Sequence, residues 1–301
     1  MKKKLFLIDA FSIIYQSYYA YNKNPLLTSF GLNTSPIIKF MYLLMDLLME
    51  ENSNYMAVIF DSNQENFRKK KYEKYKANRK KTPIAIQIAI PYILKILKAF
   101  KILFIYSNHG YEADDIIGTI SHKAENKGYI VYIISLDKDF LQLVTNNIKV
   151  YFPPFKGNPK KILEINDVKN KFGIDHPKQV IDLWSMMGDY SDNIPGLPGI
   201  GEKNAKKFLK KFGSIEELFN SINQLDKKIG EKIRSYKKMG LLFKQLITIH
   251  TNIPYFNFNE KDFYIKKPTL YSIQKIFEEL EFRRLLKKVY QYYKKNNNYY
   301  L

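Results

Sequence analysis

The sequence contains no cysteine, which excludes disulfides, thiol nucleophiles and metal sites held by cysteine. It also has no run of 18 or more apolar residues, because charged residues or proline interrupt each long apolar stretch, so a membrane-spanning helix is not expected. Asp9 interrupts the apolar run near the N-terminus, which argues against a signal peptide. We therefore expect a cytoplasmic, soluble protein.

Arginine is scarce, since it supplies five of the 49 basic residues and lysine supplies the rest. Against 29 acidic residues, these give a formal net charge of +20. Such an excess indicates a polyanionic partner, either nucleic acid or an anionic membrane. Lysine, asparagine, isoleucine and tyrosine all have AT-rich codons, so mutational bias is an alternative source of part of this charge. Charge alone does not identify the function.

The two halves of the chain have different patterns. Residues 1–165 contain short apolar runs that end at an acidic residue or a turn and alternate with amphipathic, helix-length stretches. This alternation predicts an α/β domain with a parallel sheet. Residues 166–301 are punctuated by glycine and predict an all-helical half. Within the first half, residues 62–83 are rich in lysine, arginine, tyrosine and asparagine, which indicates a mobile basic connection.

Nine carboxylates lie where an open parallel sheet gathers functional groups, after strands or at helix starts. They are Asp9, Asp61, Glu112, Asp114, Asp115, Asp137, Asp139, Asp189 and Asp192. Any one of these carboxylates alone is explained equally well as a turn former or as an acid that stabilises the start of a helix. As a converging set they would repel each other by roughly 1–4 kcal/mol per pair at 4 Å. Two Mg²⁺ or Mn²⁺ ions would relieve this repulsion, activate a water and stabilise the leaving oxygen of a phosphodiester.

The spacing of these acids makes specific predictions. Glu112 and Asp114 would diverge on a regular helix, so at least one of them lies in the entry turn. Asp189 and Asp192, three residues apart, are expected on one helical face. A phosphatase of the haloacid dehalogenase type also has an Asp after its first strand, but it needs a second Asp two residues later, where Phe11 stands.

A glycine-rich turn in the second half is followed by a lysine-rich helix. Gly199 and Gly201 permit positive φ and expose backbone N–H groups at a helix N-terminus, which is an arrangement that binds phosphate. Lys203, Lys206 and Lys207 follow within reach of neighbouring phosphates. A purely structural corner between two helices is the alternative.

Together these motifs resemble the 5′→3′ exonuclease, or flap endonuclease-like, domain found at the N-terminus of bacterial DNA polymerase I. The matching segments are Leu7–Asp9, Val58–Asp61, Phe67–Arg68, Tyr75–Arg79, Gly110–Asp115, Asp137–Asp139, Gly188–Gly196 and Gly199–Lys203. The resemblance implies a PIN-like nuclease core over residues 1–165. It also implies a helix–hairpin–helix-type DNA-binding module over 166–301, with its turn at 188–212.

The resemblance also implies roles for individual residues. All nine carboxylates would be metal ligands, with Asp9 and Asp61 also counted as catalytic. Residues 62–83 would form an arch that admits a 5′ single strand. In one respect the sequence departs from the family, because Gln16 stands where an arginine usually follows the tyrosine of the first helix. That change removes an expected phosphate contact.

Four residues of the arch carry specific expectations from the resemblance. Lys76 and Arg79 would face the scissile phosphate and act in catalysis. Tyr75 would stack on a displaced base, as aromatic residues do in single-strand channels. Arg68 would bind phosphate, unless it is simply a solvated charge in a basic run.

We therefore expect a metal-dependent nuclease that removes 5′ ends or flaps of DNA, including RNA primers, with two Mg²⁺ or Mn²⁺ ions and K⁺ at the glycine hairpin. Its partners would be DNA with a 5′ flap, nick or primer end and a polymerase in cis or in trans, and the protein would be a monomer. Two alternatives are a nuclease-dead module that binds flaps and a PIN-type ribonuclease, against which the glycine hairpin argues. The sequence does not decide between a free-standing nuclease and a piece of a longer polymerase.

Overall fold

The computed structural model describes residues 2–51, 54–62, 64–154 and 157–297. The first half of the chain forms a six-stranded sheet with the order β3-β2-β1-β4-β5-β6. The first five strands in chain order are parallel, and β6 pairs antiparallel with β5. The strands are β1 (Lys4–Asp9), β2 (Tyr55–Phe60), β3 (Leu103–Tyr106), β4 (Ile130–Ile134), β5 (Ile148–Phe152) and β6 (Lys161–Leu163). The predicted α/β fold with a mainly parallel sheet is confirmed.

The central strands are apolar at successive positions because both faces of the sheet are covered. In β1, Leu5 and Leu7 face one hydrophobic core, whereas Phe6 and Ile8 face the other. All four side chains are 0–1% exposed. Because side chains alternate between the two faces of a strand, the apolar residues of β1 are divided between the two cores.

Helices cover both faces of this sheet. In the first half they are α1 (Ala10–Ala20), α2 (Ser35–Glu50), α3 (Phe67–Lys71), α4 (Ile84–Ala99) and α5 (Ala113–Glu125). Helices α1, α2 and α4 contribute to the core that contains Phe6, and α5 contributes to the core that contains Leu5. No helix in the described parts of the chain is both long and apolar enough to cross a membrane.

The second half is helical. Its helices are α6 (Ile165–Phe172), α7 (Gln179–Met187), α8 (Glu202–Phe212), α9 (Ile215–Asn220), α10 (Lys227–Ser235), α11 (Lys237–Ile247), α12 (Glu260–Phe263), α13 (Leu270–Glu279) and α14 (Arg283–Asn297). Helix α7 packs against both α8 and α11. Phe172 and Trp184 meet edge to face, with ring centroids 5.7 Å apart, and belong to the same core as Leu5. The helical module is therefore fixed to the α5 side of the sheet.

The helices α13 and α14 return to the part of the chain that contains the sheet. Helix α13 packs against α4, and α14 packs against α2. Ile273, Phe277, Leu285 and Val289 are at most 1% exposed and join the core that contains Phe6. The sequence-based division assigned all of residues 166–301 to one helical module, whereas these helices lie on the opposite face of the sheet.

Candidate active site

Three of the acids follow the carboxyl ends of neighbouring parallel strands. Asp9 ends β1 and caps α1, where its side chain accepts a hydrogen bond from the Ser12 backbone. Asp61 follows β2 and accepts a hydrogen bond of 2.7 Å from the backbone N–H of Ala113, at the start of α5. Asp137 follows β4 and caps the short 3₁₀ helix that contains Asp139. The parallel sheet thus brings these side chains to one edge.

The acids at the start of α5 divide between the entry turn and the helix. Glu112 has an extended backbone and is the N-cap, and its side chain and that of Asp115 satisfy each other's backbone N–H groups in a capping box. Asp114 follows in the first helical turn. The prediction that at least one of these acids lies in the entry turn is confirmed.

Asp189 and Asp192 lie in a closed loop, so the prediction that they share a helical face is wrong. Helix α7 ends at Met187, and the backbones of Asp189 and Ile194 exchange two hydrogen bonds of 2.7 and 2.8 Å. The loop closes tightly because Gly188 and Gly196 approach each other: a Cβ at Gly196 would lie 2.4 Å from the Gly188 nitrogen. Both carboxylates are buried.

Burial makes the ionised forms of these acids costly. It raises the pKa of Asp9 to about 7, although a hydrogen bond from Ser135 acts in the opposite direction, and the nearby Asp61 adds repulsion. Burial likewise raises the pKa of Asp61, Asp114, Asp137 and Asp139. The repulsion among them is the kind that bound cations relieve.

Two buried carboxylate oxygens indicate whether these residues are suited to bind divalent ions. Asp139 Oδ1 and Asp189 Oδ2 have no hydrogen-bond partner among the described residues, although Lys138 Nζ lies 3.6 Å from Asp189 Oδ2. Buried polar atoms without partners are rare in native structures and point to an ion or water. A set of carboxylate oxygens is also the donor set that Mg²⁺ and Mn²⁺ prefer. The residues fit divalent cations on both grounds.

Several of the acids also form ion pairs with basic residues of the protein. Within the described ranges, no three acidic or histidine side chains are placed to enclose a metal. Instead, cations of the protein contact the acids: Lys76 Nζ lies 2.8 Å from Glu112, and Arg79 lies 2.9 Å from Asp192. Burial would raise the pKa of Glu112, but Lys76 and Arg68 hold it below its ordinary value.

Arg68 is buried, so its predicted role as a phosphate ligand is wrong. Its side chain is 2% exposed, and its guanidinium makes two hydrogen bonds of 2.7 and 2.8 Å to Asp115 and one of 3.1 Å to Glu112. It also donates to the backbone carbonyls of Leu246 and Thr248. Arg68 therefore joins the base of the arch to α5 and to the end of α11.

Asp115 does not fit the predicted role of a metal ligand. Both of its oxygens contact Arg68, one of them also accepts a hydrogen bond from the Glu112 backbone, and the other accepts one from the His250 backbone. The side chain is completely buried. Both oxygens are already hydrogen-bonded to Arg68 and to backbone N–H groups. Asp115 therefore fixes the position of the Arg68 guanidinium.

Tyr75 is also enclosed, contrary to the prediction that it stacks on a displaced base. Its hydroxyl is 2.9 Å from Glu112 and 3.0 Å from Asp192, and the ring is 2% exposed. The segment predicted as a mobile connection thus forms the short helix α3 and a series of turns that pack on the acids. Lys76 has a left-handed backbone, with φ of 54°, at this contact.

The glycine hairpin lies at the surface of the helical module. Gly199 adopts a positive φ of 76°, as predicted, whereas Gly201 has an extended backbone and caps α8. Lys203 and Lys207 are exposed, and Lys206 forms an ion pair with Glu202 one turn earlier. The hairpin and the start of α8 therefore leave backbone N–H groups and at least two lysines facing solvent.

The sequence matches two family models that together cover most of the chain. The "5'-3' exonuclease, N-terminal resolvase-like domain" matches residues 4–173, and the "5'-3' exonuclease, C-terminal SAM fold" matches residues 175–270. The chain belongs to the 5′-3′ exonuclease family. It is accordingly a nuclease that hydrolyses phosphodiester bonds.

Relatives of this exonuclease include both short and long proteins. It is 35% identical over 287 residues to a 5′-3′ exonuclease of Aquifex aeolicus, with 95% of each chain covered. It is 37% identical over 288 residues to DNA polymerase I of Caldicellulosiruptor bescii, which covers 95% of this chain but 33% of that protein. The chain thus spans about a third of the length of its polymerase relatives.

Solved structures share the fold. A T5 5′-exonuclease with bound zinc has a TM-score of 0.67 at 18% identity, covering 95% of this chain and 99% of that one. The catalytic core of Rad2 in complex with a DNA substrate has a TM-score of 0.60 at 17% identity, covering 92% and 88%.

Two residues of the exonuclease site were missed from the sequence. Lys138 stacks over Trp184 at 3.7 Å and lies 3.6 Å from Asp189, and its position between two predicted ligands was a usable signal. Ser135 donates a hydrogen bond of 2.8 Å to Asp9, and no motif marked it. Gln16, the departure from the family pattern, is buried and donates to the carbonyl of Pro154.

Proposed function

We propose that the exonuclease uses two divalent ions, Mg²⁺ or Mn²⁺, to cleave DNA at 5′ ends and flaps. The observation that carries this proposal is the group of carboxylates at one edge of the sheet whose pKa burial raises, together with the buried oxygens Asp139 Oδ1 and Asp189 Oδ2, which lack hydrogen-bond partners among the described residues. Such ions supply an activated water and charge stabilisation at the leaving oxygen.

Eight of the nine acids are assigned to metal binding. They are Asp9, Asp61, Glu112, Asp114, Asp137, Asp139, Asp189 and Asp192. Asp115 is left out because its oxygens are held by Arg68 and by backbone N–H groups. We assign it, with Arg68, to fixing the base of the arch.

Lys76 and Arg79 are proposed to exchange partners during the reaction. In the free protein they neutralise Glu112 and Asp192. When those carboxylates hold cations, the two side chains become available to a phosphate, where they stabilise the charge that develops in the transition state. Ser135 and the Ser12 backbone keep Asp9 oriented throughout.

The helical module is proposed to hold the duplex. Exposed backbone N–H groups at the start of α8, together with Lys203 and Lys207, suit phosphates of any sequence. We further propose K⁺ at the glycine hairpin, action as a cytoplasmic monomer, and cooperation with a DNA polymerase in cis or in trans. The polymerase I relatives support that last point.

Asp137→Asn tests the metal site. Asn is as good an N-cap as Asp, so the hydrogen bond to the Asp139 backbone and the local fold should persist while a ligand charge is lost. We expect cleavage of a 5′-flap duplex to be abolished and binding of the same duplex in EDTA to stay within about twofold of wild type, because phosphate contacts elsewhere dominate affinity. Full activity of this variant would contradict the assignment.

The substrate class needs its own comparison. Wild-type protein should cleave a 5′-flap DNA duplex in Mg²⁺, fail in EDTA, and act poorly on single-stranded RNA. Preferential cleavage of the RNA would instead support the PIN-type ribonuclease alternative. A flap that is bound but left intact in Mg²⁺ and Mn²⁺ would support a nuclease-dead module.

A further inference from the structure

A cleft beside the arch has no role in the proposed function. It has a volume of about 480 Å³ and separates the base of the arch from the corner between α10 and α11. Tyr72 and Phe243 meet edge to face at 6.0 Å in its wall, and Tyr236 at the corner is 40% exposed. Met239 and Pro195 complete its apolar lining. The size is within the range of about 300–1,000 Å³ typical of small-ligand sites.

The cleft is fixed next to the carboxylate cluster. The carbonyl of Lys74 in its wall accepts a hydrogen bond of 2.7 Å from Asn193, and the backbone N–H of Lys76 donates to the carbonyl of Asp192 at 3.0 Å. Its lining residue Pro195 follows Asp192 by three positions. The cleft-lining residues Lys74 and Pro195 are therefore two and three positions along the chain from Lys76 and Asp192.

The rim carries the charge that a nucleic acid requires. Lys74 lines the cleft, and the exposed residues Arg234, Lys237 and Lys238 flank Tyr236 in sequence. The exposed Glu73 and Ser235 also line it and offer polar groups to the edge of a base. Aromatic side chains beside basic ones are the pattern by which proteins hold single strands, with bases stacked and phosphates paired.

We propose that this cleft binds one unpaired nucleobase of the 5′ strand, stacked on Tyr236. The proposal rests on the proposed function, because it places the base on the strand whose phosphate meets Lys76 and Arg79. The site distinguishes a substrate with an unpaired 5′ nucleotide from a simple nicked duplex. It also supplies the aromatic contact for which Tyr75, held between Glu112 and Asp192, is not available.

The test uses a 5′-flap duplex with 2-aminopurine placed in turn at each unpaired position, bound in EDTA so that nothing is cleaved. Wild type should quench the fluorescence at one position, and Tyr236→Phe should do the same because it keeps the ring. Tyr236→Ala should lose the quenching and bind the flap about tenfold more weakly, within the stacking contribution measured for single bases. Its affinity for a nicked duplex should be unchanged.

Tyr271→Ala is the matched control, since Tyr271 is an exposed tyrosine on α13, which packs against α4. It should behave as wild type. Equal quenching by Tyr236→Ala and wild type would overturn the base site, as would quenching that is uniform along the flap. If wild type cleaves the same flap in Mg²⁺, the proposed function stands whatever the fluorescence shows. If it does not cleave, the proposed function fails, and the fluorescence alone then decides whether the cleft binds a base.

Discussion

Lys76 and Arg79 contact carboxylates that we assign to metal binding. The contacts of 2.8 Å to Glu112 and 2.9 Å to Asp192 place a protein cation where a divalent ion would also be attracted. The two kinds of cation therefore compete for the same oxygens in the free protein. The same side chains are thus expected to oppose metal binding before DNA arrives and to assist the reaction afterwards.

Lys76→Ala should separate these two effects. We expect it to tighten Mn²⁺ binding to the DNA-free protein by about tenfold, since two unit charges 4 Å apart interact by about 1–4 kcal/mol. Flap cleavage should fall at the same time. Mn²⁺ binding can be followed by electron paramagnetic resonance, with Lys80→Ala, an exposed lysine of the same segment, as the control. Weaker Mn²⁺ binding by Lys76→Ala would show that the lysine does not compete with the ion.

Residue positions were predictable where the order of strands and helices determined them. The acids at the ends of β1, β2 and β4 followed from the alternation of strands and helices. The burial of Arg68 could not be predicted, because a run of basic residues does not show which one meets Asp115 and the carbonyls of Leu246 and Thr248, far along the chain. Tyr75 was misjudged for the same reason, since its partners come from two distant segments.

Among the elements, the regular ones were predicted better than the loops. The parallel strands carry a strong apolar signal because they are buried on both faces, whereas the three-residue β6 is too short to show one. The loop over residues 188–196 contains acids at a helical spacing, which favoured a helix. Its actual shape depends on a backbone contact between Gly188 and Gly196 that no periodicity records.

Gly196→Ala tests how far that contact holds the loop. Its φ is +71°, and a Cβ would lie 2.4 Å from the Gly188 nitrogen, so both backbone strain and a collision are expected. The free energy of unfolding should drop by more than the ~1–2 kcal/mol that a left-handed conformation alone costs, and flap cleavage should be lost as Asp189 and Asp192 move.

Gly199→Ala provides the comparison for that measurement. Its φ of +76° is similar, but a Cβ there would meet no atom within 4 Å. Thermal unfolding of both variants should therefore show a clearly smaller loss for Gly199→Ala. Equal losses would mean that the approach of the two backbones contributes nothing.

At the scale of the whole molecule, the net charge of +20 is unevenly distributed. The acids of the active site are buried or half-buried, while most lysines of α8 are exposed. The protein therefore presents a basic surface around a small acidic centre. Such a surface attracts a polyanion. The acidic centre itself would repel the polyanion unless bound cations neutralised its carboxylates.

Lys203→Ala measures one contact of this surface. We expect binding of duplex DNA in EDTA to weaken for all sequences alike and the slope of log K against log salt to fall by about one, as for the loss of one phosphate contact. Lys275→Ala, on the exposed side of α13, should leave the slope unchanged. An unaltered slope for Lys203→Ala would remove this lysine from the DNA interface.

The return of α14 to α2 has a consequence for biosynthesis. Leu285 and Val289, together with Ile273, Phe277, Leu280 and Phe282, complete a core whose other buried residues come from the first half of the chain. Because a chain emerges from the ribosome N-terminus first, one face of the sheet stays incompletely covered until α13 and α14 appear. The helical module is in this sense an insertion between two parts of one folding unit. The core that contains Phe6 is therefore finished only after the helices of the module have been made.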